Sequence, residues 1–215
     1  MPYTGAMMPR ATRSGDTAPD FTLPAINEPG SVSLHDFRDK SAVLLGLYRG
    51  LHCPFCRRQI VQLSGIHKAL SGFGVTAVAV VNTRPERAEL YFRYHPTPLT
   101  VLADADARTH RAFGVPCVVP DETFAAARID PTGELPAPLQ PLDANAALNA
   151  KDGFTPTPVD DEIFAAHGTQ LAGHFLIDRG GTVRWTSIEA ARGVNDIGRF
   201  PTADELLAVS RALGT

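Results

Sequence analysis

An α/β fold with a central mixed sheet flanked by helices is what the sequence predicts, and three observations predict it. Two uninterrupted apolar runs, Ala42 to Tyr48 and Val75 to Val81, read as strands buried on both faces. Between them Ile60, Leu63, His67 and Leu70 recur at helical spacing, with Val61 and Ile66 widening the stripe, so strand, helix and strand form a parallel βαβ unit. Near the C-terminus, two strand-like segments flank Arg179-Gly180-Gly181, a hairpin signal that adds antiparallel strands.

The remaining elements follow in order. Residues 1–15 carry no apolar core of signal-peptide length and read as a disordered leader. DTAPDFTLPAI and SVSLHDFRDK are short strand-like pieces broken by Pro19, Pro24, Pro29 and Gly30, an N-terminal hairpin extension at the domain edge. Pro54 suits a first helical position, and Gly72 and Gly74 end that helix. A helix is expected over about 85–94, a strand over 99–104 and a short helix over 105–113. The final helix opens at Thr202 with Glu205 three residues on, a capping-box spacing. Between these lies a segment at about 116–172 that holds eight of the chain's 18 prolines, which exclude long regular elements. It reads as a Pro-rich insertion folded over the domain, with helical patches near 143–150 and 160–167, in a single domain over 16–215.

Bulk properties exclude several functions. A net charge of −3 gives no electrostatic footprint for nucleic acid. No apolar run approaches the roughly 20 residues that cross a bilayer, and a cytoplasmic location is the expectation. No Gly-rich phosphate loop precedes a helix, so no nucleotide cofactor is expected. Asp104 and Asp106 in ADAD resemble paired metal ligands but fit better a strand end that caps the next helix; no metal or other cofactor is assigned.

The chemistry concentrates at Cys53-Pro54-Phe55-Cys56, between a buried strand and a helix. A helix start offers unpaired N–H groups and about half a positive charge, both of which stabilise a thiolate. Cys53 falls at the N-cap and Cys56 one turn inside, so the sulfurs can close a disulfide without strain. Such surroundings lower a thiol pKa and favour exchange with disulfides or attack on peroxides. Arg57 and Arg58 add positive charge, one of them facing solvent. Two inert buried cysteines, or a metal site shared with His52, are the competing readings; three cysteines cannot supply four thiolates. Cys117 is either a resolving thiol or filler. His52 is either a proton acceptor or a surface histidine, while His174 and Tyr48 are pocket or core residues.

The succession APDFTLP, SLHDF, AVLLGLYRGLHCPFCRRQ, VTAVAV, LTVLADADARTHRAFGV and HFLIDRGGTVRW resembles the alkyl hydroperoxide reductase and thiol-specific antioxidant family, the peroxiredoxins. The resemblance covers most of 16–116 and 173–189 and implies a thioredoxin-like fold. On the family's Pro-x-x-x-Thr-x-x-Cys signature, Cys56 takes the peroxidatic position, Cys53 replaces the threonine and Arg49 the proline. The sequence is thus most similar to the subgroup with a thioredoxin-style Cys-x-x-Cys, and weak peroxidase activity is expected. The family's catalytic arginine, which follows the hairpin turn, matches Arg184; Arg49 is the second candidate for that role. The resemblance implies a thiol–disulfide oxidoreductase in which Cys53 is the exposed attacking thiolate and Cys56 closes the disulfide. In the peroxidase version Cys56 attacks and Cys53 condenses. Expected partners are a dithiol donor of the thioredoxin, glutaredoxin or glutathione type, a disulfide or peroxide substrate, and a second copy in a homodimer. The alternative is a non-catalytic redox sensor or metal-binding module.

Overall fold

A computed structural model describes residues 10–118 and 120–213. Its centre is a five-stranded sheet of order β5-β4-β3-β6-β7, made of β3 (Ala42–Tyr48), β4 (Val75–Val81), β5 (Thr100–Ala103), β6 (Gly173–Ile177) and β7 (Val183–Ile188). β3 pairs parallel with β4, and β4 with β5; β6 runs antiparallel to both β3 and β7. The mixed sheet therefore matches the expected one. The small hairpin β1 (Thr22–Pro24) and β2 (Ser31–Ser33) is the N-terminal extension.

Every residue of β3 is buried because it is the central strand with helices over the sheet, which is why its text is a continuous apolar run rather than an alternation. α1 (Pro54–Gly72) leaves the carboxyl end of β3 and packs on β4. α2 (Pro85–Tyr94) and α3 (Arg108–Ala112) flank β5, and α7 (Ala203–Leu213) packs against α1. Thr202 and Glu205 cap α7 reciprocally: the Thr202 N–H donates to Glu205 Oε2 at 2.7 Å and the Glu205 N–H to Thr202 Oγ1 at 3.2 Å.

The described part of the expected leader is tied down rather than disordered. Thr12 is buried and its N–H donates to the Phe113 carbonyl at 3.0 Å, while the Gly15 N–H donates to the Val183 carbonyl at 2.8 Å. Composition carries no trace of such backbone pairing. Residues 1–9 lie outside the described residues.

Segment 116–172 folds as three helices, α4 (Glu122–Ala126), α5 (Pro141–Lys151) and α6 (Pro158–His167). Its two ends meet in a narrow neck: Cys117 bridges Gln170, the Val118 N–H donates to the Thr169 carbonyl at 2.8 Å and the Leu171 N–H to the Pro116 carbonyl at 3.0 Å. Proline opens α5 and α6 instead of breaking them, since each sits at the first turn. Thr157 and Asp160 cap α6 as a box. No helix among the described residues is long and apolar enough to cross a membrane.

Candidate active site

The site lies at the carboxyl end of β3, where the loop Arg49-Gly50-Leu51-His52 turns into α1. The Cys53 N–H donates to the Gly50 carbonyl at 3.0 Å, which aims the chain into the helix. Cys53 is the N-cap, with extended φ and ψ of −89° and 106°, and its sulfur accepts the Cys56 N–H at 3.2 Å. A thiolate on Cys53 is thereby seated on the helix start, as the spacing anticipates. No disulfide joins any of the three cysteines.

Burial is the first departure from expectation. Cys53 is 0% exposed and Cys56 1%, so the attacking sulfur is not on the surface. Beside them lies an enclosed cleft of about 20 Å³, room for about one water. Its floor is Arg49, His52 and Phe55, and its roof is the insertion's Phe124, Leu142 and Phe164. An insertion folded over the domain is the expectation; which of its side chains close over the cysteine loop is set by packing, which the prolines do not encode.

The two thiols are driven apart in acidity. Burial opposes ionisation of Cys53, yet the hydrogen bond from the Cys56 thiol and the charge of Arg49 outweigh it and bring its pKa down to about 7. For Cys56 burial acts first, and donating to the Cys53 sulfur adds to it, so its pKa is raised. The arrangement can hold one thiolate, on Cys53, with Cys56 as its hydrogen-bond donor.

Arg49 supplies the nearby positive charge. Its Nη2 donates to Glu189 Oε1 at 2.6 Å, and the Glu189 side chain is fully buried. Glu189 is itself fixed by the Gly198 N–H at 2.6 Å and the Ala172 N–H at 2.8 Å. The Nε of Arg49 is buried with no partner. Glu189 escaped sequence reasoning: an acid directly after a strand usually marks solvent, and only the fold buries it.

Arg184 is a correction. It lies at the start of β7, beside Val183, which pairs with Ile177 opposite Val43 near the amino end of β3. β7 runs parallel to β3, so its carboxyl end, at Glu189, reaches the cysteines and its start does not. The five-residue step from Arg184 to Glu189 spans about 17 Å of strand. Arg184 is half-exposed and pairs with Asp178 at 2.6 Å, at the opposite end of the strands from the site. Arg184 thus lies away from the cysteines, while Arg49, the second candidate, lies close enough to Cys53 for its charge to act on it.

Arg57 and Arg58 turn away to the insertion. Arg57 pairs with Asp152 at 2.6 Å, and Arg58 with Asp152 at 2.7 Å and Glu134 at 2.8 Å. Neither faces solvent freely, and their charge is balanced by these acids. Cys117 donates its thiol to Gln170 Oε1 at 3.3 Å, while its chain neighbour Val118 lines the cleft. Asp104 caps α3, accepting the Thr109 N–H at 2.7 Å. Among the described residues no group of three or more His, Cys, Asp or Glu side chains is placed to hold a metal ion.

His52 is buried, and neither ring nitrogen has a partner. Its ring meets Phe164 edge-on at 5.0 Å. Burial, then Arg49, lowers its pKa to about 4. His174 faces the Tyr48 hydroxyl at 3.2 Å, and burial lowers it to about 3; His110 is likewise lowered to about 4. Because these folded pKa values lie below the ordinary 6.5, the unfolded chain binds more protons in acid. Their contribution is intact above pH 6.5 and is lost as pH falls toward 4, by about 2 kcal/mol per histidine between pH 6.5 and 5. Urea unfolding at pH 7 and pH 5 is expected to show a markedly lower midpoint at pH 5; equal midpoints would mean that the imidazoles are not held neutral.

Known proteins match this arrangement at two levels. The solved structures that superpose on the chain include a DsbE from Chlorobium tepidum assigned as a thiol:disulfide interchange protein (TM-score 0.57, 20% identity, 95% of this chain and 99% of that one). Others are the peroxidoxin BcpB from Mycobacterium tuberculosis (0.60, 16%, 94% and 98%) and a reduced 2-Cys peroxiredoxin from Plasmodium vivax (0.61, 18%, 94% and 81%). At these identities the likeness shows the thioredoxin-like fold of peroxiredoxins. No curated protein matches the chain by sequence. The AhpC/TSA family profile, however, matches residues 14–186, from the first turn of the described chain into β7 and across β3, the cysteine pair and α1, and the chain belongs to the AhpC/TSA family.

Proposed function

We propose that the protein is a thiol–disulfide oxidoreductase that works through Cys53 and Cys56. The observation that carries this reading is the N-cap sulfur of Cys53, which accepts the helix N–H at 3.2 Å and is lowered in pKa while Cys56 is raised. The Cys53 thiolate attacks one sulfur of a substrate disulfide, forming a mixed disulfide and expelling the other sulfur as a thiolate that takes a proton. Cys56 then gives up its proton and attacks the Cys53 sulfur, releasing the second substrate thiol. The protein is oxidised by two electrons and the substrate disulfide is reduced by two. A dithiol donor of the thioredoxin, glutaredoxin or glutathione type restores the pair.

Family membership favours a second reading, reduction of a peroxide. There a thiolate attacks one peroxide oxygen, water or an alcohol leaves, and the resulting sulfenic acid condenses with the other thiol with loss of water. The family position would give the attack to Cys56; the acidity order supports Cys53 instead. With Arg49 and Cys53 in the signature's proline and threonine positions, the peroxidase activity is weak. A cytoplasmic setting and a homodimer belong to the same proposal.

Peroxide consumption and disulfide reduction, measured side by side on the wild type, Cys53→Ser and Cys56→Ser, test this. Disulfide reduction is expected to vanish with either serine, and mild oxidation should remove two hydrogens between Cys53 and Cys56 by mass spectrometry. A disulfide from Cys56 to Cys117 would overturn the assignment. Stoichiometric zinc without turnover would replace it with a metal-binding module.

A further inference from the structure

The insertion is fastened to the very loop that carries the reactive cysteine. Asn149 on α5 donates through Nδ2 to the His52 carbonyl at 2.9 Å, and its Oδ1 accepts Arg57 Nη1 at 2.9 Å. The same Nη1 donates to the Leu51 carbonyl at 2.7 Å, and Arg57 Nη2 holds Asp152 at 2.6 Å. The Arg57 guanidinium also lies 4.1 Å over the Phe154 ring. One buried arginine and one buried asparagine thus join α1, the Leu51–His52 backbone and the end of α5. Outside this knot the cover is joined to α1 by the half-buried Arg58 pairs with Asp152 and Glu134, and to α2 by Arg87 with Asp160 and Arg84 with Glu162. At the far side it hangs from the paired neck of 116–118 and 169–171.

Cys53 and Cys56 are wholly buried under this segment, next to a cleft that admits about one water. No disulfide substrate fits between the roof and the thiols with these contacts made. Besides these polar groups and the neck, Ile129, Ala144 and Leu148 of the segment sit in the domain's apolar core. No continuous sheet pairing joins it to the domain, so opening exposes a limited apolar face as it breaks the polar contacts.

We propose that segment 116–172 is a cover that must swing on its neck before any substrate reaches Cys53, and that Asn149, Arg57 and Asp152 form the latch that keeps it shut. The latch sets which molecules react: those small enough to use brief or partial openings meet the thiolate sooner than a protein-borne disulfide does. Asn149 is a positioning residue, acting through the His52 carbonyl and Arg57 without touching the sulfurs. The inference rests on Cys53 being the reactive thiol proposed above, but its test reads access, not turnover.

The experiment is the rate of Cys53 alkylation in a Cys117→Ser background, using iodoacetamide and a polyethylene glycol maleimide as small and bulky probes. In the parent, both are expected to react far more slowly than with an unfolded thiol, the bulky probe being the more retarded. Asn149→Ala and Asp152→Asn should each speed the bulky probe by about tenfold, the scale of one lost hydrogen bond to a charged group, and should narrow the gap between probes. A wild-type arm needs no variant to fold: raising salt from about 0.05 to about 0.5 M shortens the Debye length severalfold and weakens the half-buried Arg58 pairs, so bulky labelling should accelerate. Labelling of the parent at the rate of a free thiol would overturn the cover. Unchanged probe ratios in both folded variants and across salt would overturn the latch. If gating is found and neither disulfide nor peroxide is turned over, the oxidoreductase reading fails and the cover stands.

Discussion

Replacing Arg49 with Met is expected to raise the pH at which Cys53 ionises by about one to three units, the effect of removing a close opposite charge. Two causes act together. The guanidinium lies close enough to both sulfurs for its charge to favour their thiolate forms, and it is held there by Glu189 at 2.6 Å. Once it is gone, Glu189, which opposes both thiolates, is left uncompensated. Breaking a buried pair from one side costs about 3–5 kcal/mol, so Arg49→Met should also lose much of its stability. Arg49→Lys separates the two consequences: it keeps the charge and most of the acidity, but loses the fork that matches a carboxylate. Thiolate ultraviolet absorbance against pH, in a Cys56→Ser, Cys117→Ser background, reads Cys53 alone, and urea unfolding reads stability. Arg184→Met, made in the same background, should leave the profile in place and shift stability by no more than about 0.5 kcal/mol, as for an exposed pair. A shift with Arg184→Met and none with Arg49→Met would restore the arginine that the family motif indicates.

The contrast between these two arginines shows what a sequence holds and what it leaves to the fold. β3, α1 and β4 are legible because burial on both faces writes a continuous apolar run and an amphipathic helix writes its period, and neither depends on distant residues. The cysteine pair is legible for the same reason, since an N-cap and the next turn are set by local spacing. Which end of β7 meets that pair is not local. It depends on β6 reversing direction between β3 and β7, so that Glu189 rather than Arg184 arrives at the site. Asn149 is further still, 92 residues from the Arg57 it contacts, in a segment whose prolines exclude long regular elements and identify no distant partner. The burial of Cys53 is likewise set by packing and not by local spacing.

Arg87→Met is expected to be the most disruptive change outside the cysteine loop, at about 3–5 kcal/mol, because Asp160 has nowhere to send its charge. The Asp160 side chain is 1% exposed; Arg87 Nη2 reaches Oδ2 at 2.8 Å, and Nε reaches the two oxygens at 3.2 and 3.0 Å. The remaining partners of the carboxylate are the Thr157 N–H at 2.8 Å and the Thr157 hydroxyl at 2.9 Å, the bonds that cap α6. Without the guanidinium, Asp160 either stays charged and buried or turns to water and uncaps α6, and both routes loosen the helix that presses Phe164 on His52. The loss should therefore be local before it is global: amide exchange in 158–167 should quicken most, while β3 and β4 keep their protection until the whole domain unfolds. Arg84→Met is the matched comparison. Arg84 joins the same two helices through Glu162, but both side chains are about half exposed, so at most about 1 kcal/mol is at stake. Equal losses from the two substitutions would show that burial of the Arg87–Asp160 pair contributes nothing. Uniform exchange across the chain in Arg87→Met would show that α6 and the sheet open as one unit.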